Sequence, residues 1–344
     1  MPLPGSIRKR LAEGELSFRD FVQLALYDPE TGYYTGEVSP VGKGADFVTS
    51  PSLSPAFAFA LGGLVREFLS RSGDEASQIV DIGCGDGTLI HSLCAEVPGA
   101  TCIGLERGDR LGDIPPADAR LVISNELFDA QPFARLVQRG TALHELTVIE
   151  NAGELDWGER AADASYVNYC AERGVTLDDG QFADVSLDWS ALYTGICSIV
   201  PRGLIVTFDY GYPEETLFRS RLRRYGTAAA YSGQRVSRDL LANPGKQDLT
   251  AHINFTDLIR AGESEGFTTL FFDRQAKFLL SLGITGHELF KPIDEVTIGS
   301  LDLLDRRDDA RRLVLPDGIG EDIRVLVQGR GIPLEGWMFQ QRLW

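Results

Sequence analysis

The sequence predicts an α/β protein built on a doubly wound, Rossmann-like parallel sheet, and three observations carry that expectation. Short apolar runs at residues 78–83 (QIVDIG), 101–106 (TCIGLE) and 121–124 (LVIS) recur at the spacing of βαβ units. The first run leads straight into a glycine turn, DIGCGDGT, with a helical stretch, LIHSLCAEV, behind it. The pattern resumes with GLIVTFDYG at 203–211, preceded by the helical WSALYTGICSIV and the chain-breaking Pro201, Arg202 and Gly203.

The remaining elements follow in order. Residues 7–27 read as one or two amphipathic helices, and residues 28–55, dense in Gly, Pro, Ser and Thr, as a long loop. Long loops inside compact domains are usually functional, so this one is a candidate lid or ligand-binding segment. AFAFALGGLVREFLS is a buried helix. From Phe133 to Arg160 the pattern switches to alternating segments, an antiparallel insertion spanning about residues 133–190. Beyond residue 212 the chain alternates a basic helix, the loop ANPGKQDLTAHINF, a helix, the strand TTLFFD, a helix and the strand-like RVLVQGRGI. The organisation is therefore N-terminal helices and a covering loop over 1–75, then a sheet domain over 76–344 with the insertion and C-terminal additions.

Composition bounds the function. Of 344 residues, 50 are Asp or Glu and 33 Lys or Arg, a net charge of −17, with a sequence pI of about 4.7. That balance disfavours nucleic acids, which are held chiefly through Lys and Arg, and suits a basic peptide segment as partner. No apolar run is long enough to span a bilayer. Five cysteines without a C-x-x-C or a nearby His at zinc spacing indicate neither a disulfide framework nor a metal site. An N-terminus without an apolar core and with early Glu13, Glu15 and Asp20 leads to a cytoplasmic expectation. The sequence permits a homodimer.

A glycine turn between strand and helix brings backbone close to a ligand. Here the pattern is Gly83, Gly85, Gly87, whereas a dinucleotide turn needs its third glycine where Thr88 stands. Asp81 and Asp86 place negative charge where a pyrophosphate would sit. A cationic ligand with a ribose fits better, and S-adenosylmethionine is one. Glu106, closing the second run, can accept both ribose hydroxyls, and Asp81 can hold the ammonium group.

The segment SNELFDAQPF ends the third run, so it should line the same crevice. Asn125 offers a carbonyl and two donors. Glu126 and Asp129, three apart, present paired carboxylates, which suit a guanidinium; the plainer alternative is that Asn125 caps a helix whose first turn they decorate. Asp209 and Tyr210 also sit at a strand end facing the cleft. His252 reads as a structural histidine and FRSRLRRYG as a solvated helix face.

Five stretches in order, ALYDPETGYYTG, GADFVTSPSLSP, DIGCGDGTL, SNELFDAQP and DLTAHINF, resemble the MidA family of S-adenosylmethionine-dependent methyltransferases, over about residues 18–284. Its mitochondrial members support assembly of respiratory complex I by dimethylating an arginine of one subunit. The resemblance implies a class I methyltransferase sheet, an N-terminal loop folded over the cofactor, Asp46 joining Gly83, Gly85 and Glu106 around it, and Asn125, Glu126 and Asp129 facing the methyl group. The chain departs from the family in having only about 18 residues between Glu106 and Asn125, too few for the usual helix and strand, which leaves Asp113 to take over the adenine contact. Asp184 stands where the family tends to have Glu. The expected activity is methylation of an arginine in a protein partner; the alternatives are a non-enzymatic assembly factor that keeps the fold, and a small-molecule methyltransferase.

Overall fold

Six strands form the central sheet: β1 (Gln78–Ile82), β2 (Thr101–Leu105), β3 (Arg120–Asn125), β4 (Gly203–Tyr212), β5 (Thr268–Arg274) and β6 (Ile323–Arg330). The computed structural model describes residues 3–35, 49–73, 77–219, 221–233, 235–292 and 301–340. The order across the sheet is β5-β6-β4-β3-β1-β2. β1 to β4 run parallel, and β6 enters antiparallel to both β4 and β5. A short strand, Ile253–Asn254, pairs in parallel with the end of β4.

Successive residues of a strand point to opposite faces. Ile79, Leu121, Ile123, Leu204 and Val206 accordingly pack into one core with the helices Pro55–Ser72 and Thr88–Glu96. Val80, Val122 and Ile205 pack into the other, against Trp189, Tyr193 and Ile196 of the helix Asp188–Ser198 and Leu258 of the helix Phe255–Ser264. Both faces are covered, which is why β1, β3 and β4 read as continuous apolar runs. The doubly wound sheet expected from sequence is therefore present, its strands within a residue or so of the predicted runs.

The edge beyond β2 is short. Between Leu105 and Arg120 the chain forms turns and one 3-10 turn, Leu111–Asp113, with neither helix nor strand of longer extent. β2 is thus the edge strand of the sheet.

The alternating segments after Phe133 form a second, antiparallel sheet. Ala142–Asn151 pairs with Leu16–Ser17, Ala134–Arg139 and Glu154–Ala161, and Ala134–Arg139 pairs in turn with Phe182–Val185. Ser17 caps the helix Phe18–Tyr27 by accepting the Asp20 N–H at 3.1 Å. Phe18, Phe21, Val22 and Leu26 of that helix pack on Phe133, Val148 and Leu249, fastening the N-terminal helix to the insertion and to the later strand Asp248–Thr250. Asp184, buried in the second sheet, pairs with Arg135 at 2.7 Å and accepts the N–H groups of Thr227 and Ala228 at 2.5 and 2.8 Å. Its carboxylate ties the sheet to the segment that follows the helix Glu214–Arg219.

Candidate active site

Register places the ends of four strands at one edge of the sheet. Ile82 lies opposite both Leu105 and Ser124, and Asn125 opposite Phe208, so Gly83, Glu106 and Glu126 follow the ends of β1, β2 and β3 side by side, next to Asp209 near the end of β4. Gly83, Glu106 and Glu126 open into a cavity of about 650 Å³.

After β1 the chain turns through Gly83, Gly85 and Gly87, all at positive φ (74°, 55° and 78°), into the helix starting at Thr88. A Cβ on Gly83 would stand 2.9 Å from Leu127 Cδ1, and the left-handed backbone would strain any other residue. The turn is stitched to β2: Gly83 and Cys84 N–H donate to Leu105 O, and Gly85 N–H donates to Glu106 Oε2 at 2.7 Å. The Glu106 carboxylate therefore faces the turn with acceptor capacity to spare. Asp109 Oδ2 accepts the Glu106 N–H at 2.9 Å and fixes the strand end.

Asp81 is 1% exposed, and neither carboxylate oxygen has a hydrogen-bond partner among the described residues. Burial, and secondarily the charge of Glu106, push its carboxyl up to about 7. Buried polar groups are ordinarily satisfied, so an orphaned carboxylate on a cavity wall is a group that awaits donors.

The other half of the cavity is built on the β3–β4 ends. Glu126 has a positive φ of 52°, unusual for a residue with a Cβ, and donates its N–H to Phe208 O at 2.8 Å. Asn125 Nδ2 donates to Glu126 Oε1 at 3.1 Å, while Asn125 Oδ1 is buried without a partner among the described residues. Burial raises Glu126 to about 7 despite the Asn125 contact; burial and the neighbouring Glu126 charge raise Asp129 to about 8. Asp209, fully buried, accepts the Phe128 and Tyr210 N–H groups, each at 2.8 Å, and so holds the turn that carries both acids. Its own carboxyl is raised well above the usual range by burial and then by Asp129.

Aromatic and polar residues from distant segments complete the wall. Tyr34 O–H donates to Asp248 Oδ2 at 2.9 Å and stacks on Tyr27, whose O–H donates to Ala130 O at 2.8 Å. Arg107 lies over the Tyr27 ring at 4.3 Å and donates to Tyr27 O at 2.9 Å. The N-terminal helix is thereby bonded to both halves of the site. His252, between Tyr210 and Tyr212, lines the cavity with Nδ1 buried and unpartnered among the described residues, and burial lowers its imidazole to about 4. It is neutral near pH 7.

Of the residues singled out in the sequence, Asp81, Gly83, Gly85, Glu106, Asn125, Glu126 and Asp129 meet in this one cavity. Gly87 stands behind the turn, against His91, and is not part of the wall. Asp46 lies outside the described residues. Asp113 is a correction: it is exposed on the Leu111–Asp113 turn, and Asp109 and Leu111 line the cavity in its place. Tyr34 and Asp248 fall within the stretches that carry the family resemblance but, like Tyr231, were not singled out, because they reach the site only through long-range folding. Asp109 had one: an Asp three residues after a strand end readily accepts its N–H.

The orphaned Asp81 beside Glu106, with phosphate-repelling charge on both, fits a ligand that brings an ammonium group and a ribose diol. That donor set on a doubly wound sheet with an antiparallel sixth strand defines a class I, S-adenosylmethionine-dependent methyltransferase. Comparisons with known proteins agree. The family described as S-adenosyl-L-methionine-dependent methyltransferase matches residues 109–272. A superfamily member from Burkholderia thailandensis, a methyl transferase crystallised with S-adenosyl-homocysteine, is 27% identical with a TM-score of 0.81, covering 97% of this chain and 96% of that one. A native structure from the same organism is 25% identical with a TM-score of 0.80, over 99% and 97%. The protein arginine methyltransferase NDUFAF7 of Danio rerio is 24% identical over 342 residues, 80% of this chain and 75% of its own. Its Bos taurus counterpart is 22% identical, over 81% and 72%. The chain is an S-adenosylmethionine-dependent methyltransferase, similar over most of its length to the MidA-type (NDUFAF7) proteins. The cytoplasmic expectation is corrected by the NDUFAF7 relatives, which are named as mitochondrial proteins. An N-terminus without an apolar core argues against a secretory signal only.

Proposed function

We propose that the protein transfers a methyl group to the guanidinium of an arginine in a protein partner, with Glu126 and Asp129 gripping that guanidinium. The observation that carries this reading is the buried pair itself. Two carboxyls held up to about 7 and 8 share one cavity with the cofactor-facing Asp81 and Glu106. Such a pair is stable as two anions only when a cation enters, and a planar guanidinium can satisfy both. Its relatives' names, protein arginine methyltransferase, support the same substrate class.

On this reading each residue has a defined part. Asp81 and Glu106 would hold the cofactor by its ammonium and ribose hydroxyls, and S-adenosylmethionine supplies an electrophilic methyl on sulfur. Glu126 and Asp129 orient one guanidinium nitrogen, with Asn125 Oδ1 as a further acceptor for its N–H groups. Methylation leaves the guanidinium charged and releases one proton; a carboxylate with a raised affinity for protons, Asp129 foremost, is suited to take it. Asp209 positions both acids through the Phe128 and Tyr210 N–H groups. Catalysis is then mostly positioning. The test is Glu126→Gln: cofactor affinity retained, methyl transfer to arginine reduced by about two orders of magnitude or more. An unchanged turnover rejects the clamp.

A further inference from the structure

Taking the cavity as an arginine site, we propose that the surface beside its acceptor end recognises an acidic segment of the protein substrate, so that arginines flanked by Asp or Glu are methylated in preference to those in basic stretches.

Residues 219–238 contain six arginines (219, 221, 223, 224, 235 and 238) and no Asp or Glu, within a chain of net charge −17. The sequence expectation of a solvated helix face does not hold there. The helix Glu214–Arg219 ends, Arg221–Arg223 makes a single turn, and the chain then forms the hairpin Ala229–Ser232 with Arg235–Ser237. Among the described residues, Arg219 has a carboxylate within reach, Glu215 at 3.8 Å, and the other five arginines form no ion pair. Some surface arginines elsewhere are paired, Arg139 with Glu159 at 2.7 Å and Arg311 with Asp308 at 3.0 Å, whereas the strap gathers five unpaired ones in a short stretch. Three of the strap's arginines are instead anchored on backbone: Arg224 donates to Asp179 O and Arg238 to Ala228 O, both at 2.6 Å, and Arg223, which also lies over the Tyr212 ring at 3.6 Å, donates to Thr216 O at 3.3 Å. Between them stand Leu222, Tyr225 and Val236, which are 94, 73 and 61% exposed. Fixed, unpaired cations interleaved with exposed apolar side chains have the makeup of a recognition surface for an anionic partner.

This strap borders the cavity. Tyr231 lines the cavity and is paired directly across the hairpin with Val236, so the two share one face. Thr227 Oγ1 accepts the His252 N–H at 3.1 Å. The low affinity of His252 for protons, due first to burial, also reflects the charges of Arg223, Arg238 and Arg324. Arg223 and Arg238 thus stand close enough to His252, on the wall of the anionic chamber, for their charge to act there. The guanidinium goes inward, while the residues either side of it cross the rim, where basic neighbours are repelled and acidic ones attracted.

The test uses three fluorescein-labelled peptides: one arginine flanked by glutamates, one flanked by lysines, and the glutamate peptide with glutamine in place of arginine. Anisotropy and methyl transfer are measured for the wild type and for the double variant Arg223→Glu, Arg238→Glu, the two strap arginines whose charge reaches the cavity wall at His252. The expected result is binding of the arginine–glutamate peptide on the order of tenfold tighter than the lysine peptide, weakening with added salt. The double variant loses or reverses that preference with unchanged affinity for S-adenosyl-homocysteine. If no peptide is methylated yet the glutamate preference persists in the glutamine peptide and is lost in the double variant, the rim stands and the arginine reading falls. Equal or tighter binding of the lysine peptide, a preference untouched by the double variant, or capture by phosphatidylserine vesicles in place of the glutamate peptide would overturn the inference.

Discussion

Replacing Asp81 with asparagine should stabilise the cofactor-free protein while weakening its hold on the cofactor. Burial first and the Glu106 charge second push the carboxyl up to about 7 from the usual aspartate value of about 4. A raised carboxyl affinity for protons in the folded state means stability lost as pH rises from the unfolded to the folded value, here from about 4 to about 7. At roughly 1.4 kcal/mol per unit, the ionised group costs about 4 kcal/mol above pH 7. A buried asparagine without partners itself costs about 1–3 kcal/mol, so the variant should gain about 1–3 kcal/mol at pH 8, and nothing by about pH 5. A thermal melt of the cofactor-free protein at the two pH values reads this as a rise of a few degrees at the higher one. Binding should move the opposite way. If only ionised Asp81 holds the ammonium, the ionised fraction rises from about a tenth at pH 6 to about three-quarters at pH 7.5, so wild-type affinity for S-adenosyl-homocysteine grows about eightfold. Calorimetry should find that dependence absent, and affinity at least tenfold lower, in the variant. A variant that is less stable at pH 8, or one that binds as well as wild type, refutes the assignment of Asp81.

Glu106→Gln keeps the size of the side chain and removes its charge, so cofactor binding should weaken by about 1.5–3 kcal/mol by calorimetry; unchanged affinity would leave Glu106 as a brace for the Gly85 N–H alone. Gly83→Val should abolish cofactor binding in a protein whose circular dichroism shows it folded, since the added carbons meet Leu127 and the backbone is left-handed. Asp184→Ala should destabilise by about 3–5 kcal/mol in urea melts, because it leaves the Arg135 guanidinium and two N–H groups without their acceptor; a loss under 1 kcal/mol would deny that joint its structural part.

Much of the sheet was legible because strands covered on both faces must be apolar throughout, and β1, β3 and β4 are. The glycine turn and Glu106 were legible for a local reason: close approach of backbone demands glycine, and the acid falls at the next strand end. Asp109 and Asp113 were not separable, since which one faces the cavity depends on the rotation of a single 3-10 turn. Tyr34 and Asp248 are 214 residues apart in sequence, and no local pattern announces their hydrogen bond. The positive φ of Glu126 was equally hidden; it follows from the Glu126 N–H reaching back to Phe208 O across strands. The arginine-rich run misled because its period resembles a helix face, whereas the helix stops at Arg219 and a single 3-10 turn and a hairpin follow.

The central claim, transfer of a methyl group to arginine by a carboxylate clamp, is tested most directly by one labelling experiment. The purified protein is incubated with methyl-labelled S-adenosylmethionine and an extract of cells lacking it, and every labelled residue is identified by tandem mass spectrometry. Wild type should place the label on arginine, and Glu126→Gln, with its cofactor affinity intact, should place almost none. Label on a small molecule or on a residue other than arginine, or full labelling by Glu126→Gln, would contradict the account.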